Sequence, residues 1–142
     1  MKHLLSFLVL LGSGCASTTT TVFEVELRGT FVLADGVGDV EVQLHHAEQG
    51  EGVLAHPLGE IERFDTTLDA GIEHTFLYPL DAGTGLVVHA WNDADGDGAL
   101  CAPDGDTAEA SGLVEVSDFP AHEVEVTIVL DAQCEGPEGL FP

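Results

Sequence analysis

Alternating aspartates in the second half of the chain form the one stretch whose residue types and spacing indicate specific chemistry. Asp93, Asp95 and Asp97 occupy alternate positions, and Gly98 follows them directly. In calcium-binding loops, carboxylates at positions 1, 3 and 5 bind the ion and a glycine at position 6 allows a sharp turn. The stretch therefore predicts a cation site. Its hard oxygen ligands, variable in number, favour calcium over magnesium.

The remaining ligands of this loop are less well defined by the sequence. Counted from Asp93, Ala99 takes position 7, which supplies a backbone carbonyl, and Asp104 takes position 12, which supplies the closing acid. Position 12 is Asp rather than Glu, so Asp106 or Glu109 could close the site instead. The predicted ligands are Asp93, Asp95, Asp97, Ala99, Asp104 and Asp106. The alternative is an acidic turn that is merely solvated.

Other chemistry has weaker support. Scattered histidines could gather around zinc or copper, but none has a ligand spacing with another, so surface or core positions are expected for them. They are His45, His46, His56, His74, His89 and His122. Neither Ser111 nor Ser117 lies in a nucleophile motif, and no acid pair stands out, so an enzyme is not expected. Trp91, directly before the loop, is a candidate ligand contact.

The first fourteen residues have the pattern of an export signal. Lys2 provides a positive start, residues 4–11 are apolar except for one serine, and small residues follow. The run Leu11-Gly12-Ser13-Gly14-Cys15 resembles the lipobox of bacterial lipoproteins, although Gly12 stands where that family prefers an aliphatic residue. The resemblance implies cleavage before Cys15, a lipid on Cys15 and anchoring at the outer membrane. The polar residues that follow are expected to form a tether over residues 15–21.

The chain contains three cysteines. If Cys15 is lipidated, Cys101 and Cys134 remain as a pair in an oxidising compartment. A disulfide closing a loop of about 34 residues contributes roughly 3 to 4 kcal/mol in the chain-entropy model. The alternative is two unrelated free thiols.

The negative charge of the chain argues against nucleic acid and anionic membranes as partners. Its 142 residues carry 26 acidic side chains against three Lys and Arg, which gives a formal net charge of −23. Such a surface repels nucleic acid and anionic membranes, and bound cations would relieve its self-repulsion. Residues 22–134 are long enough for one domain with a core, and residues 135–142 are expected to form a tail.

Period-two alternation of apolar and polar residues predicts an all-β fold. Strands are expected over 23–33, with a bulge or bend at Gly29, and over 40–44, 72–80, 86–91, 112–116 and 124–130. A short edge strand over 53–56 and a weaker strand over 61–68 follow a predicted loop at 47–52. The 86–91 strand is apolar on both faces and is therefore expected to be central. Together these predict a single antiparallel β-sandwich of seven to eight strands.

The order of these segments is similar to that of bacterial transthyretin-like (prealbumin-like) extracytoplasmic domains. The similarity is carried by Leu86-Val87-Val88-His89-Ala90-Trp91, by the following loop through Gly98, and by the closing strand over 124–130. The resemblance implies a β-sandwich outside the cytoplasm. The expected function is a lipid-anchored, non-enzymatic domain with a structural calcium site and a structural or interaction role. A calcium-dependent module for a ligand such as carbohydrate, or a histidine-based metal binder, is the alternative.

Overall fold

The computed structural model describes residues 21–36, 38–49, 54–80, 85–101, 109–116 and 118–140. In these ranges the chain forms strands and turns and no α-helix, which confirms the all-β prediction. No helix long and apolar enough to cross a membrane occurs among these residues. The strands are β1 Val22–Val32, β2 Asp39–Gln49, β3 Leu54–Thr67, β4 Ile72–Pro79, β5 Gly85–Asp93, β6 Ala110–Val116, β7 Glu123–Val129 and β8 Ala132–Gln133.

The strands form two sheets. One is three-stranded in the order β4-β1-β7, and the other is five-stranded in the order β3-β2-β5-β6-β8. Every pair is antiparallel except β1 with β7, which is parallel. The prediction of a wholly antiparallel arrangement is therefore wrong at this pair. The chain crosses from β6 to the other sheet before β7, so β7 can run beside β1 in the same direction.

The alternation of side chains along the strands creates the core between the two sheets. Strand β7 shows the pattern most clearly, since Val124, Val126 and Ile128 are buried and their neighbours are exposed. The largest fully buried apolar side chains come from both sheets, and they are Tyr78, Leu27, Leu44, Leu86 and Ile128. Burying apolar surface in this way is the main favourable contribution to folding.

Strand β5 is the central element that positions the aspartate loop. It lies between β2 and β6, and its residues from Gly85 to Asn92 are all buried. The predicted central position is therefore confirmed. Asp93 is the last residue of β5 and pairs with Asp39 of β2. The side-chain amide of Asn92 donates to Asp39 O at 2.9 Å, so the start of the loop is fixed to the sheet.

Strands β2 and β3 are longer than the sequence predicts. The predicted loop at 47–52 is wrong in its first part, because β2 continues to Gln49. The two strands predicted over 53–56 and 61–68 are one continuous β3 that passes through Pro57. Proline is tolerated there because β3 is an edge strand. The β2–β3 register shifts between residues 44 and 48 of β2, which lie opposite the part of β3 that contains Pro57.

Gly29 does not mark the bulge that the sequence allows there. Its register with both β4 and β7 is continuous. A Cβ at Gly29 would instead lie 2.7 Å from Val126 Cγ2 and 2.9 Å from Val126 O. Glycine therefore occurs here because β1 and β7 approach each other too closely for a side chain.

Candidate metal centre

The aspartate loop folds around the carboxylate of Asp93. Its Oδ1 accepts hydrogen bonds from the backbone N–H groups of Gly96, at 2.8 Å, and Asp97, at 3.2 Å. Its Oδ2 accepts a third bond, from the N–H of Gly98 at 3.1 Å. Short side chains that accept backbone N–H groups in this way stabilise tight loops. The rigid end of β5 thus determines the path of the loop.

Two further aspartates continue the same pattern. Asp95 Oδ1 accepts the N–H of Asp97 at 3.2 Å, and Asp97 Oδ1 accepts the N–H of Ala99 at 2.8 Å. Gly96 and Gly98 have φ values of +75° and +73°, which favour glycine. The sharp turn predicted at Gly98 is therefore present.

Glu109 reaches this loop from the residue preceding β6. Its side chain is buried, with a relative exposure of 1%. Oε1 accepts the N–H of Ala94 at 3.1 Å, and Oε2 accepts the N–H of Cys101 at 2.6 Å. Burial of a carboxylate is unfavourable unless it is hydrogen-bonded and its charge is compensated. The two N–H donors satisfy the hydrogen-bonding requirement, but the negative charge of the carboxylate still needs a compensating cation.

Four carboxylates converge in this region. One oxygen from each of Asp93, Asp95, Asp97 and Glu109 lies within 4.8 Å of the others. Oxygens on opposite sides of a calcium ion, each bound at 2.3 to 2.6 Å, are about 5 Å apart. The spacing and the hard oxygen donors therefore fit a calcium-sized cation.

No basic side chain of the described residues neutralises the cluster. Arg28 pairs with Glu26. Arg63 pairs with Glu60 at 2.5 Å and with Glu41 at 3.3 Å. The guanidinium of Arg63 holds the pKa of Glu60 below its usual range. A bound cation would therefore supply the charge that the described part of the chain does not.

The predicted ligand set is only partly described by the structure. Asp93, Asp95 and Asp97 belong to the cluster, whereas Asp104 and Asp106 lie outside the described residues. The carbonyl ligand expected from Ala99 stays a prediction. Glu109, the alternative closing residue, is the acid that joins the three aspartates.

The strand register explains the position of Glu109. In the β5–β6 pair, Trp91 lies opposite Ser111. Extending this antiparallel register by two residues on each strand places Glu109 beside Asp93. Counting along the loop gives Glu109 only as an alternative to Asp104, because the position of this acid depends on the pairing of β5 with β6.

A disulfide connects the loop to the end of the sheet. Cys101 and Cys134 are bonded, with their Cα atoms 5.4 Å apart, as the cysteine count predicts. The backbone of Glu109 lies between them, since its N–H donates to Cys101 Sγ at 3.3 Å and its carbonyl accepts the N–H of Cys134 at 3.0 Å. A disulfide is typical of proteins outside the cytoplasm. Cys15 lies outside the described residues.

Trp91 forms part of the wall behind the loop. Its indole has a relative exposure of only 2%, and Nε1–H donates to Glu41 Oε1 at 3.4 Å. An acidic cleft of about 550 Å³ lies in front, and Asp39, Glu41, Asp65, Asp93 and Asp97 contribute to its lining. Contact between Trp91 and a ligand stays a prediction, and burial leaves little of the ring for such a contact.

The histidines take separate positions. His45, His46 and His89 are buried, and burial lowers the pKa of each. The His74 ring stacks on Phe64, and the exposed His122 stacks on Phe23. The side chain of His56 is not among those described. Within the described residues, the carboxylate cluster is the one group of three or more potential metal ligands, and it contains no histidine.

Comparison with protein-family models, with curated proteins and with solved structures finds no match. The interpretation of the metal centre therefore depends on its own residues and their geometry.

Proposed function

We propose that this protein is a lipid-anchored, extracytoplasmic β-sandwich of the transthyretin-like type, in which a calcium ion braces the loop after β5. Its role is structural or one of interaction, without catalysis. The observation that carries the proposal is the convergence of Asp93, Asp95, Asp97 and buried Glu109 within 4.8 Å. Calcium fits this cluster better than magnesium, because calcium coordination tolerates variable ligand number and geometry, whereas magnesium needs a stricter octahedron.

A brace fits the surroundings of the cluster better than a sensor does. The loop begins on buried β5 and is covalently bonded to the β8 end of the sheet through Cys101 and Cys134. A loop anchored at both ends in this way cannot undergo the large conformational change on calcium binding that a sensor needs. Extracellular calcium modules bind with Kd of about 10⁻⁴ to 10⁻³ M, which suits constitutive occupancy outside a cell.

Three features support the proposed location. Residues 1–14 have the pattern of an export signal, and the run ending at Cys15 resembles a lipobox. The Cys101–Cys134 disulfide is consistent with an oxidising compartment. More than one acyl chain gives stable membrane anchoring, which lipidation of Cys15 would provide.

The alternative functions have less support. A carbohydrate module would need an accessible aromatic platform, whereas Trp91 is 2% exposed. A histidine-based metal binder would need converging imidazoles, and the described cluster contains carboxylates alone. The structural calcium site is therefore the preferred function.

Thermal unfolding of the full chain with calcium or with a chelator tests the proposal. Asp93→Asn combined with Asp95→Asn removes two ligand charges from the cluster. Asp39→Asn combined with Asp65→Asn is the matched control, because these acids line the adjacent cleft outside the cluster. At a hundredfold excess over Kd, calcium should stabilise wild type and the control by about 2.7 kcal/mol.

The first double variant should show little or no stabilisation by calcium. If wild type melts at the same temperature with calcium and with chelator, calcium does not stabilise the domain and the proposal is wrong. If both double variants lose the calcium effect equally, the effect comes from general charge screening rather than from this site.

A further inference from the structure

The seam between β6 and β7 is a second candidate functional region. These strands belong to different sheets and have no ladder between them. They approach closely at Gly112, where an added Cβ would collide with the carbonyl oxygen of Val129. Towards Val116 and Val124 the seam opens into a cleft of about 310 Å³. This opening lies at the end of β6 opposite to Glu109 and the metal centre.

The edge of β7 at this seam carries backbone groups without a strand partner. Glu26 N–H donates to His122 O at 2.8 Å, and Leu130 N–H donates to Val32 O at 2.9 Å. Both hydrogen bonds use even-numbered residues next to β7, and the direction of backbone groups alternates along a strand. The N–H and C=O groups of the even-numbered β7 residues therefore point towards β1. Those of Glu123, Glu125 and Thr127 consequently point to the other edge. Within the described residues, no strand pairs with β7 there.

The seam is apolar inside and acidic at its rim. Val124 and Val126 are buried, and half-buried Val114, Val116 and Ala121 face the same cleft. The rim consists of exposed carboxylates, which are Glu115, Asp118, Glu123 and Glu125. One base, Arg28, lies beside Glu125 in the strand register and pairs with Glu26, so the four rim carboxylates outnumber it. The rim therefore presents negative charge around an apolar floor.

We propose that the free edge of β7 accepts an extended segment of a basic partner protein as an added strand. Strand addition derives affinity from main-chain hydrogen bonds and specificity from alternate side chains. Alternate side chains of a strand point to opposite faces. One set would enter the seam onto the valines, and the other would lie beside Glu123 and Glu125. The segment therefore alternates apolar residues with Lys or Arg over the open part of β7.

Charge determines which occupant fits this edge. A second copy would bring another formal charge of −23 and would place glutamates beside glutamates, and like charges opposite each other destabilise a strand pair. Glutamates at the edge thus act against self-association while attracting a basic strand. The inference names the partner for the interaction role proposed above, but it does not depend on calcium.

Binding of short labelled peptides to the full chain tests this inference by fluorescence anisotropy. The probe is an acetylated octapeptide in which valine and lysine alternate. One control peptide alternates valine and glutamate, and another has the composition of the probe with all valines before all lysines. The alternating basic peptide should bind at least about tenfold more tightly than either control.

Matched variants locate the binding edge. Glu123→Gln combined with Glu125→Gln should weaken binding of the probe by about tenfold, since opposite-charge cross-strand pairs are lost. Asp39→Asn combined with Asp65→Asn removes the same charge from the cleft on the other sheet and should change binding less than about twofold. Glu125→Pro removes the N–H at the free edge and should abolish binding, whereas Glu125→Gln alone should not.

Several results would overturn the inference. Equal affinity for the alternating and the block peptide, or equal effects of the two double variants, would show attraction by general surface charge. Sedimentation of a dimer that Glu125→Pro dissociates would identify a second copy as the occupant. Peptide binding should persist when a chelator removes calcium. If the chelator abolishes peptide binding as well as the stabilisation by calcium, the peptide binds at the metal centre instead.

Discussion

Glu109 and Cys101 are joined by reciprocal contacts. Glu109 Oε2 accepts the N–H of Cys101 at 2.6 Å, and the N–H of Glu109 donates to Cys101 Sγ at 3.3 Å. The same glutamate contributes an oxygen to the carboxylate cluster and accepts the N–H of Cys134. One residue thus connects the metal centre, the disulfide and the end of β6.

Replacing Glu109 should therefore affect both stability and ion binding. Glu109→Ala leaves the N–H groups of Ala94 and Cys101 without their acceptors, at a loss of about 1 kcal/mol each because both hydrogen bonds are only partly buried. Glu109→Gln keeps an acceptor and removes the charge, so it should retain more stability in chelator while weakening calcium binding. Urea unfolding and calcium calorimetry separate these effects. Calcium affinity unchanged in Glu109→Gln would exclude the residue as a ligand.

Loss of the disulfide should lower stability and calcium affinity together. Cys101→Ser combined with Cys134→Ser is expected to reduce the free energy of unfolding by about 3 kcal/mol. It should also weaken calcium binding, because the bond restrains the loop at Cys101 and Cys134, whose N–H donates to the carbonyl of Glu109. Calorimetry of the variant with calcium measures the second effect. Unchanged affinity would mean that the disulfide stabilises the domain without organising the ion site.

The left-handed backbone at Gly98 gives a further test. Gly98 has φ of +73° and no atom within 4 Å of an added Cβ, so Gly98→Ala acts through backbone strain. The variant should lose about 1 to 2 kcal/mol of stability and bind calcium more weakly. Gly59→Ala is the control, because its Cβ position is equally open. Urea unfolding that shows equal effects for the two would contradict the importance of this turn.

The buried histidines predict an acid-sensitive fold. Burial lowers the pKa of His45, His46 and His89. Their contribution to stability is complete above the unfolded-state pKa of about 6.5 and is lost as pH falls towards the lower folded-state values. The slope in this range is at most about 1.4 kcal/mol per pH unit for each histidine.

Urea unfolding in chelator between about pH 7 and pH 5 measures this loss of stability. His89→Gln should make the loss smaller, with the exposed His122→Gln as a control for the removal of a histidine. A pH dependence identical in wild type and His89→Gln would show that His89 does not contribute.

The sequence predicts the fold where alternation is regular and one face is buried. Strands β1, β4 and β7 are predicted for this reason, and β5 is predicted from its run of apolar residues on both faces. The prediction is wrong along β2 and β3, where register shifts near His46 interrupt the alternation and Pro57 suggests an end. The parallel pairing of β1 with β7 depends on a crossing between sheets, which local patterns do not encode.

For the metal centre, too, the sequence predicts the local part and not the part that depends on strand pairing. The local spacing of Asp93, Asp95 and Asp97 indicates the loop, and the three hydrogen bonds to Asp93 are local as well. Glu109 lies distant in sequence and joins through the pairing of β5 with β6. A counting rule that assumes all ligands come from one loop therefore favours Asp104, whereas the strand register favours Glu109.

Trp91 allows the most direct measurement of the metal centre. It is the single tryptophan of the chain, and it lines the same cleft as Asp93 and Asp97. Terbium, which occupies calcium sites, should therefore luminesce when the indole is excited, and calcium should displace it. Wild type and Asp39→Asn with Asp65→Asn should give a saturable signal that calcium abolishes, and Asp93→Asn with Asp95→Asn should not. No saturable signal in wild type, or an equal one in the cluster variant, would contradict a cation site at this loop.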